Sequence, residues 1–166
     1  DTQEKMKAHH IGFIREVLEL VKKEPRFKWN CESYWAVRCF LADASNEEKK
    51  AFVAGVKSGN IGLSGSYLNL TDLASERVLN ETADKCVKEL SALGLQCKCA
   101  MTADINGYGW GFSDVLYSHG VRALLSSIHT HHGYHPLFRK QTPFYWITPK
   151  GNKLLVWNGE HYLFGN

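Results

Sequence analysis

The sequence predicts an α/β fold in which helices flank a largely parallel sheet, and three observations carry that prediction. Segments of helical periodicity alternate with short apolar runs, the order that right-handed crossovers impose on a parallel sheet, open or closed into a barrel. Polar residues recur directly after those runs: Asn30 and Glu32, Asn69 and Asp72, Asp104 and Asn106, then His129 to His135. In parallel sheets such loops emerge at the carboxyl ends of the strands, where these folds place their chemistry. The third is the stretch from Met101 to Pro136, which joins a strand end, a glycine-rich loop, a short helix, a second strand and a loop holding four of the eight histidines.

Each element has its own warrant. Residues 4 to 24 set Met6, His10, Phe13, Ile14, Val17, Leu18 and Val21 at helical spacing, with Lys22 and Lys23 complementing the dipole ahead of Pro25. Phe27 to Cys31 is a short strand candidate, and Glu32 to Leu41 an amphipathic helix. Ser45 with Glu48 forms a capping box for a helix that Gly59 closes. The run IGLSGSYLNL is a strand ending near Asn69, after which Thr71 can cap a helix whose apolar positions run from Leu79 to Leu93 and stop at Gly94. LQCKCAM and VRALLSSI are strands entering a buried sheet, with residues 112 to 118 a helix between them. PFYWITP and KLLVWN flank Lys150, Gly151 and Asn152, a hairpin signal. No repeat or linker divides residues 1–166, so one α/β domain is expected; opening on a helix and ending past a strand, it reads as the middle of a larger one.

At 166 residues, 44% hydrophobic and 22% charged, the chain is long enough for a real core. The formal charge of +3 is spread among acidic residues, so neither nucleic acid nor membrane is expected as a partner. No apolar run reaches the ~20 residues of a membrane helix, and no signal peptide is evident at the amino terminus. Five cysteines without CxxC spacing fit neither a disulfide framework nor a zinc knuckle, which suits a reducing cytoplasm. Nothing in the pattern specifies an oligomeric state.

Among the strand-end residues, Asp72 reads equally well as a helix-start acid beside Thr71 and as a functional carboxylate. Asp104 follows an apolar strand with no helix start in reach to cap, and the glycines of INGYGWG allow close approach to a ligand. Tyr108 and Trp110 can stack on an apolar sugar face or roof the core. G-x-G-x-G matches neither the dinucleotide fingerprint nor a phosphate loop. In HTHHGYHP, His129 and His131 lie two apart, and with His132 they suit hydrogen bonding to substrate better than metal ligation. Glu160 and His161 form a further strand-end pair, with Glu160 a candidate acid. No G-x-S-x-G nucleophile elbow is present.

DINGYGWGFSDVLYSHGVRAL resembles the D-P-F-G-H-S segment, helix and next strand of the amino-terminal catalytic domain of family 38 glycoside hydrolases, the zinc-dependent retaining α-mannosidases. FKWNCESYWAVRCFL resembles the family's preceding strand and helix, and IGLSGSYLNLTDLASERVL its nucleophile strand, usually G-G-W-x-x-x-D-E-A. IHTHHGYHPLFRK resembles its Arg-Thr-His strand end, with His129 at the Arg and His131 at the His. The resemblance implies that this chain is a central part of a seven-stranded, largely parallel β/α barrel. It also implies zinc, with most metal ligands outside this chain, and a nucleophilic Asp that binds the metal. Counted from Gly65, that Asp falls at Asn69 or Leu70, so Asp72 takes the role after a small shift or the branch has lost standard chemistry. Asp104 survives in the altered D-P-F-G-H-S segment, and the acid catalyst is expected near or beyond Glu160.

The function expected is therefore a carbohydrate-active hydrolase cleaving a terminal glycosidic bond. Asp72 is the candidate nucleophile and metal ligand, Asp104 and Glu160 are further catalytic candidates, and Asn69, Tyr108, Trp110, His129, His131 and His132 are placed on the sugar. Two alternatives stand beside it: a metal-dependent carbohydrate deacetylase using the histidine loop, and a catalytically silent sugar-binding relative.

Overall fold

Thr2 opens the first helix, its hydroxyl accepting from the Lys5 N–H at 3.3 Å, and helix α1 runs Gln3–Lys23. The computed structural model describes residues 2–69, 74–105, 109–127 and 142–159. Strand β1 is Trp29–Asn30, helix α2 Tyr34–Asp43, helix α3 Asn46–Lys57 and strand β2 Ile61–Gly62. Helix α4 is Glu76–Ala92, strand β3 Cys99–Ala103, helix α5 Trp110–Ser118 and strand β4 Ala123–Ser127. Strands β5, Pro143–Ile147, and β6, Lys153–Gly159, complete the described elements.

The capping box forms as its spacing requires: Glu48 N–H donates to Ser45 Oγ at 3.2 Å and Ser45 N–H donates to Glu48 Oε2 at 2.8 Å. The helix expected from Thr71 starts later. Ser75 Oγ accepts from Val78 N–H at 3.4 Å and opens α4, while Thr71 lies outside the described residues. On α1 the buried stripe is Ile11, Ile14, Val17 and Leu18, and Phe13 stands 53% exposed instead of in the core.

The sheet arrangement is mixed α/β without a closed barrel among the described residues. One sheet pairs β1 with β2 in parallel, Trp29 beside Ile61 and Asn30 beside Gly62. The second has the order β3-β4-β6-β5, with β3-β4 and β4-β6 parallel and only the β5-β6 hairpin antiparallel. The hairpin turns at Gly151, whose φ of +79° a residue with a Cβ adopts only under strain. The strand expected over IGLSGSYLNL is the main departure, since its ladder ends after Gly62. Beyond it the chain still runs beside β3: Gly65 N–H donates to Cys99 O at 2.8 Å, and the Cys97 thiol lies 3.4 Å from Leu63 O. Ser64 Oγ takes the place of a backbone carbonyl, accepting from Met101 N–H at 3.0 Å and Ser66 N–H at 3.2 Å. A side chain thus carries the seam between the sheets. The approach is close there, since a Cβ on Gly65 would stand 2.6 Å from Val121 Cγ2.

Two cores result. The first gathers α1, α2, α3, β2 and α4 around Ile14, Tyr34, Val37, Phe40, Phe52, Ile61 and Leu90, with Phe40 and Phe52 rings 5.5 Å apart. The second lies between α5 and one face of the larger sheet, built on Ala100, Leu116, Val121, Leu124, Leu154 and Val156. The opposite face of that sheet presents Met101, Leu125, Leu155 and Trp157, the last two 40% and 43% exposed. No helix among the described residues is long and apolar enough to cross a membrane.

Candidate functional site

The parallel strands fix where polar groups can meet. Because 63 lies beside 97 and 65 beside 99, the chain after β2 runs parallel to β3. Strands β1, β2, β3 and β4 therefore end at one edge, the carboxyl edge of both sheets.

Asp104 stands at that edge, directly after β3. It is exposed, with φ of +59°, making it the one non-glycine with positive φ among the described residues. Its N–H donates to Ser127 O at 3.1 Å, so the last rung of the β3-β4 ladder fixes the backbone while the carboxylate stays free of a cap. A left-handed Asp costs little next to a β-branched residue, and such positions concentrate at functional sites. The helix that follows is capped at Gly109 without a side-chain bond.

Asn69 emerges beyond β2 and donates from Nδ2 to Glu32 Oε1, which lies two residues past β1. The contact spans 37 residues of sequence and joins the ends of both strands of the smaller sheet. Asn69 Oδ1 is enclosed and has no hydrogen-bond partner among the described residues. Glu32 is the residue that sequence reasoning passed over. It stands among the polar residues directly after the first strand, but its partner Asn69 lies 37 residues away in sequence.

Trp110 sits at the first turn of α5, 63% exposed, and meets Trp146 of β5 edge-on with centroids 6.2 Å apart. Phe112, Phe144 and Trp146 pack on the second core, so this indole lies over the helix-covered face of the sheet. Asp72, Tyr108, His129, His131, His132 and Glu160 lie outside the described residues. Of the expected constellation, the structure brings Asn69 and Asp104 to the same edge and adds Glu32.

Other reactive groups are accounted for by structure. His119 Nδ1 lies 2.7 Å from Val115 O and 3.2 Å from Ser118 Oγ, while Nε2 lies 3.0 Å from Asp84 Oδ1. A carbonyl oxygen only accepts, so Nδ1 carries hydrogen and cannot take a proton from Ser118. The trio fastens α5 to α4. All five cysteines are free, and burial pushes the Cys31 and Cys97 thiols up to about 12. Such thiols are poor nucleophiles near neutral pH. Among the described residues no group of three His, Cys, Asp or Glu side chains is arranged to hold a metal.

An α/β unit whose polar groups gather at the carboxyl edge of parallel strands belongs to the architectures that carry enzyme sites on their strand ends. The chain is a member of a particular one: residues 1–166 match the model of the glycosyl hydrolases family 38 N-terminal domain, and the protein belongs to that family. No curated protein matches the sequence. Among solved structures, an α-mannosidase from Enterococcus faecalis V583 has 16% identity and a TM-score of 0.72, with 93% of this chain and 18% of that one covered. A protein in glycosyl hydrolase family 38 from Enterococcus faecalis has 15% identity and a TM-score of 0.69, with 93% and 17% covered. A 4-α-glucanotransferase from Thermococcus litoralis has 12% identity and a TM-score of 0.65, with 87% and 23% covered. The chain therefore spans less than a fifth of the two Enterococcus faecalis chains.

Proposed function

We propose that this chain is part of a carbohydrate-active glycosidase that cleaves a terminal α-mannosidic bond. The observation that carries the reading is the family match over the whole chain, joined to polar strand ends at one edge of parallel strands. In the retaining form of this chemistry one carboxylate attacks the anomeric carbon and a second carboxylic acid protonates the leaving oxygen, the two ~5 to 5.5 Å apart. Asp72 is proposed as nucleophile and Glu160 as acid. Asp104, on a backbone set by Ser127 O, is proposed to orient the substrate from the β3 end. The sugar contacts assigned to Tyr108, Trp110, His129, His131 and His132 belong to the same proposal, as do the seven-stranded barrel and the larger protein that would complete it. Five free thiols suit a cytoplasmic setting.

Zinc enters by family alone. Asn69, at the place where the family's metal-binding Asp is expected, offers a neutral amide already engaged by Glu32, and the described residues supply no three-donor set. These residues do not fit a zinc centre by themselves. Asp72 is proposed as this chain's ligand, with the others contributed from outside it. The amide at Asn69 also favours a second reading, a sugar-binding relative without hydrolysis.

The test is turnover of a chromogenic α-mannoside by the intact protein and its Asp104→Asn variant, alongside metal analysis of the purified protein. Asparagine tolerates the positive φ, so the fold should survive while turnover falls about 100-fold or more. Normal turnover in the variant would remove Asp104 from the site. Binding of mannosides without hydrolysis would select the silent reading.

A further inference from the structure

A groove at the carboxyl edge of the smaller sheet has no role in the chemistry above. It measures about 870 Å³ and lies between the first half of α1 and the ends of β1 and β2. Phe13, His10, Trp29 and Trp35 supply its aromatic wall, and Glu32 and Asn69 its polar end. The wall is ordered internally: His10 stands edge-on to Trp35 at 5.6 Å and to Phe13 at 6.5 Å. Phe13 occupies a core-type position of α1 yet is 53% exposed, an apolar ring held at the surface beside the groove. At the other end Glu32 is exposed and held by the Asn69 amide, whose own carbonyl oxygen is enclosed without a partner among the described residues. A buried acceptor left without a donor is costly and uncommon in folded proteins, and a ligand donor would satisfy it.

We infer that this groove is a sugar-binding subsite for a hexopyranoside, with Glu32, positioned by Asn69, as its hydroxyl-binding carboxylate. The inference rests on the carbohydrate reading of the preceding section and adds a residue and a place to it. A pyranose ring presents C–H groups on one face and hydroxyls around its rim. The C–H face matches the aromatic wall, and two neighbouring hydroxyls can donate to the two oxygens of one carboxylate. Among the described residues that line the groove none is a Lys or Arg that would neutralise Glu32, and Asn69 is the side chain that holds its carboxylate.

The experiment is titration of the intact protein, with 15N-labelled indoles, by methyl α-D-mannopyranoside, and by methyl α-D-glucopyranoside as a second probe. The indole signals of Trp29 and Trp35 should move together on binding. Glu32→Gln keeps the shape and removes the charge, and should weaken binding about tenfold, as should Phe13→Ala, whereas Glu47→Gln on α3 should leave it unchanged. Binding that persists unaltered in Glu32→Gln, or that moves Trp110 and neither Trp29 nor Trp35, would overturn the inference and leave the glycosidase reading standing. Failure of the wild-type protein both to bind and to hydrolyse any glycoside would overturn the two together. Should Glu32→Gln fold poorly, the indole shifts of the wild-type protein decide alone.

Discussion

Around β1 and β2 only two residues of each strand are paired, and four helices do the rest: Phe40, Phe52, Tyr34 and Ile14 are all within 1% of full burial. Across β3, β4, β6 and β5 the balance reverses. Three ladders of five residue pairs each hold the sheet, one face lies under a single nine-residue helix, and the other leaves Leu155 and Trp157 open. One half of the chain is specified by side-chain packing and the other by backbone register. Polar site residues stand at the edge of both, and the halves meet where Ser64, Gly65 and Cys97 join the sheets and where His119 and Asp84 join α5 to α4.

This contrast can be broken by mutation, beginning with the largest expected effect. Phe40→Ala should cost about 3–5 kcal/mol by denaturant unfolding. If the halves are separable units, native-state hydrogen exchange should then speed up in α2 and α3 while the amides of Leu124 and Val156 keep their protection. Equal loss in both halves would make them a single unit. Ser64→Ala should cost about 1–3 kcal/mol, because Met101 N–H loses its acceptor in a buried seam. Its sharper signature is faster exchange at Met101 with little change at Phe52. Ser45→Ala, which removes one half of the capping box, should cost about 1 kcal/mol, confined to the start of α3.

The smallest effect is one of pH. The Arg15 guanidinium, and next the Ser45 N–H, hold the Glu48 carboxyl down at about 2 against an ordinary 4.5. A lowered carboxylate stabilises the fold above pH 4.5, and that contribution is lost as pH falls from 4.5 towards 2. Wild-type protein should therefore lose slightly more thermal stability over that interval than Glu48→Gln, and salt should narrow the difference, since the pair is exposed.

Local chemistry was legible in the sequence where it was self-contained. The hairpin followed from strand-forming runs on either side of Lys150, Gly151 and Asn152, and the capping box from Ser45 and Glu48 three apart. Legibility failed where one segment answered to a distant one. The run IGLSGSYLNL reads as a strand, but a serine hydroxyl replaces the ladder there, a substitution visible only with Met101 alongside. Thr71 and Ser75 are both good caps by residue type, and α4 is capped by Ser75. Phe13 fits the helical stripe of α1, but the buried stripe takes Ile11 with Ile14, Val17 and Leu18 and leaves Phe13 outside. Asp104 could be singled out because it has no neighbour to explain it. Glu32 and Asn69 become a pair only when β1 and β2 pair, 37 residues apart.

The thiols at the seam have a use of their own. Cys97 bridges the carbonyl oxygens of Leu63 and Cys99 at 3.4 and 3.0 Å, whereas Cys99 faces solvent on the neighbouring turn of the pleat. An alkylating reagent should find Cys99 at once and reach Cys97 only when the two sheets part. The delay between the two reactions is then a clock, read by mass spectrometry without any engineered label, for how often the halves of this chain let go of each other.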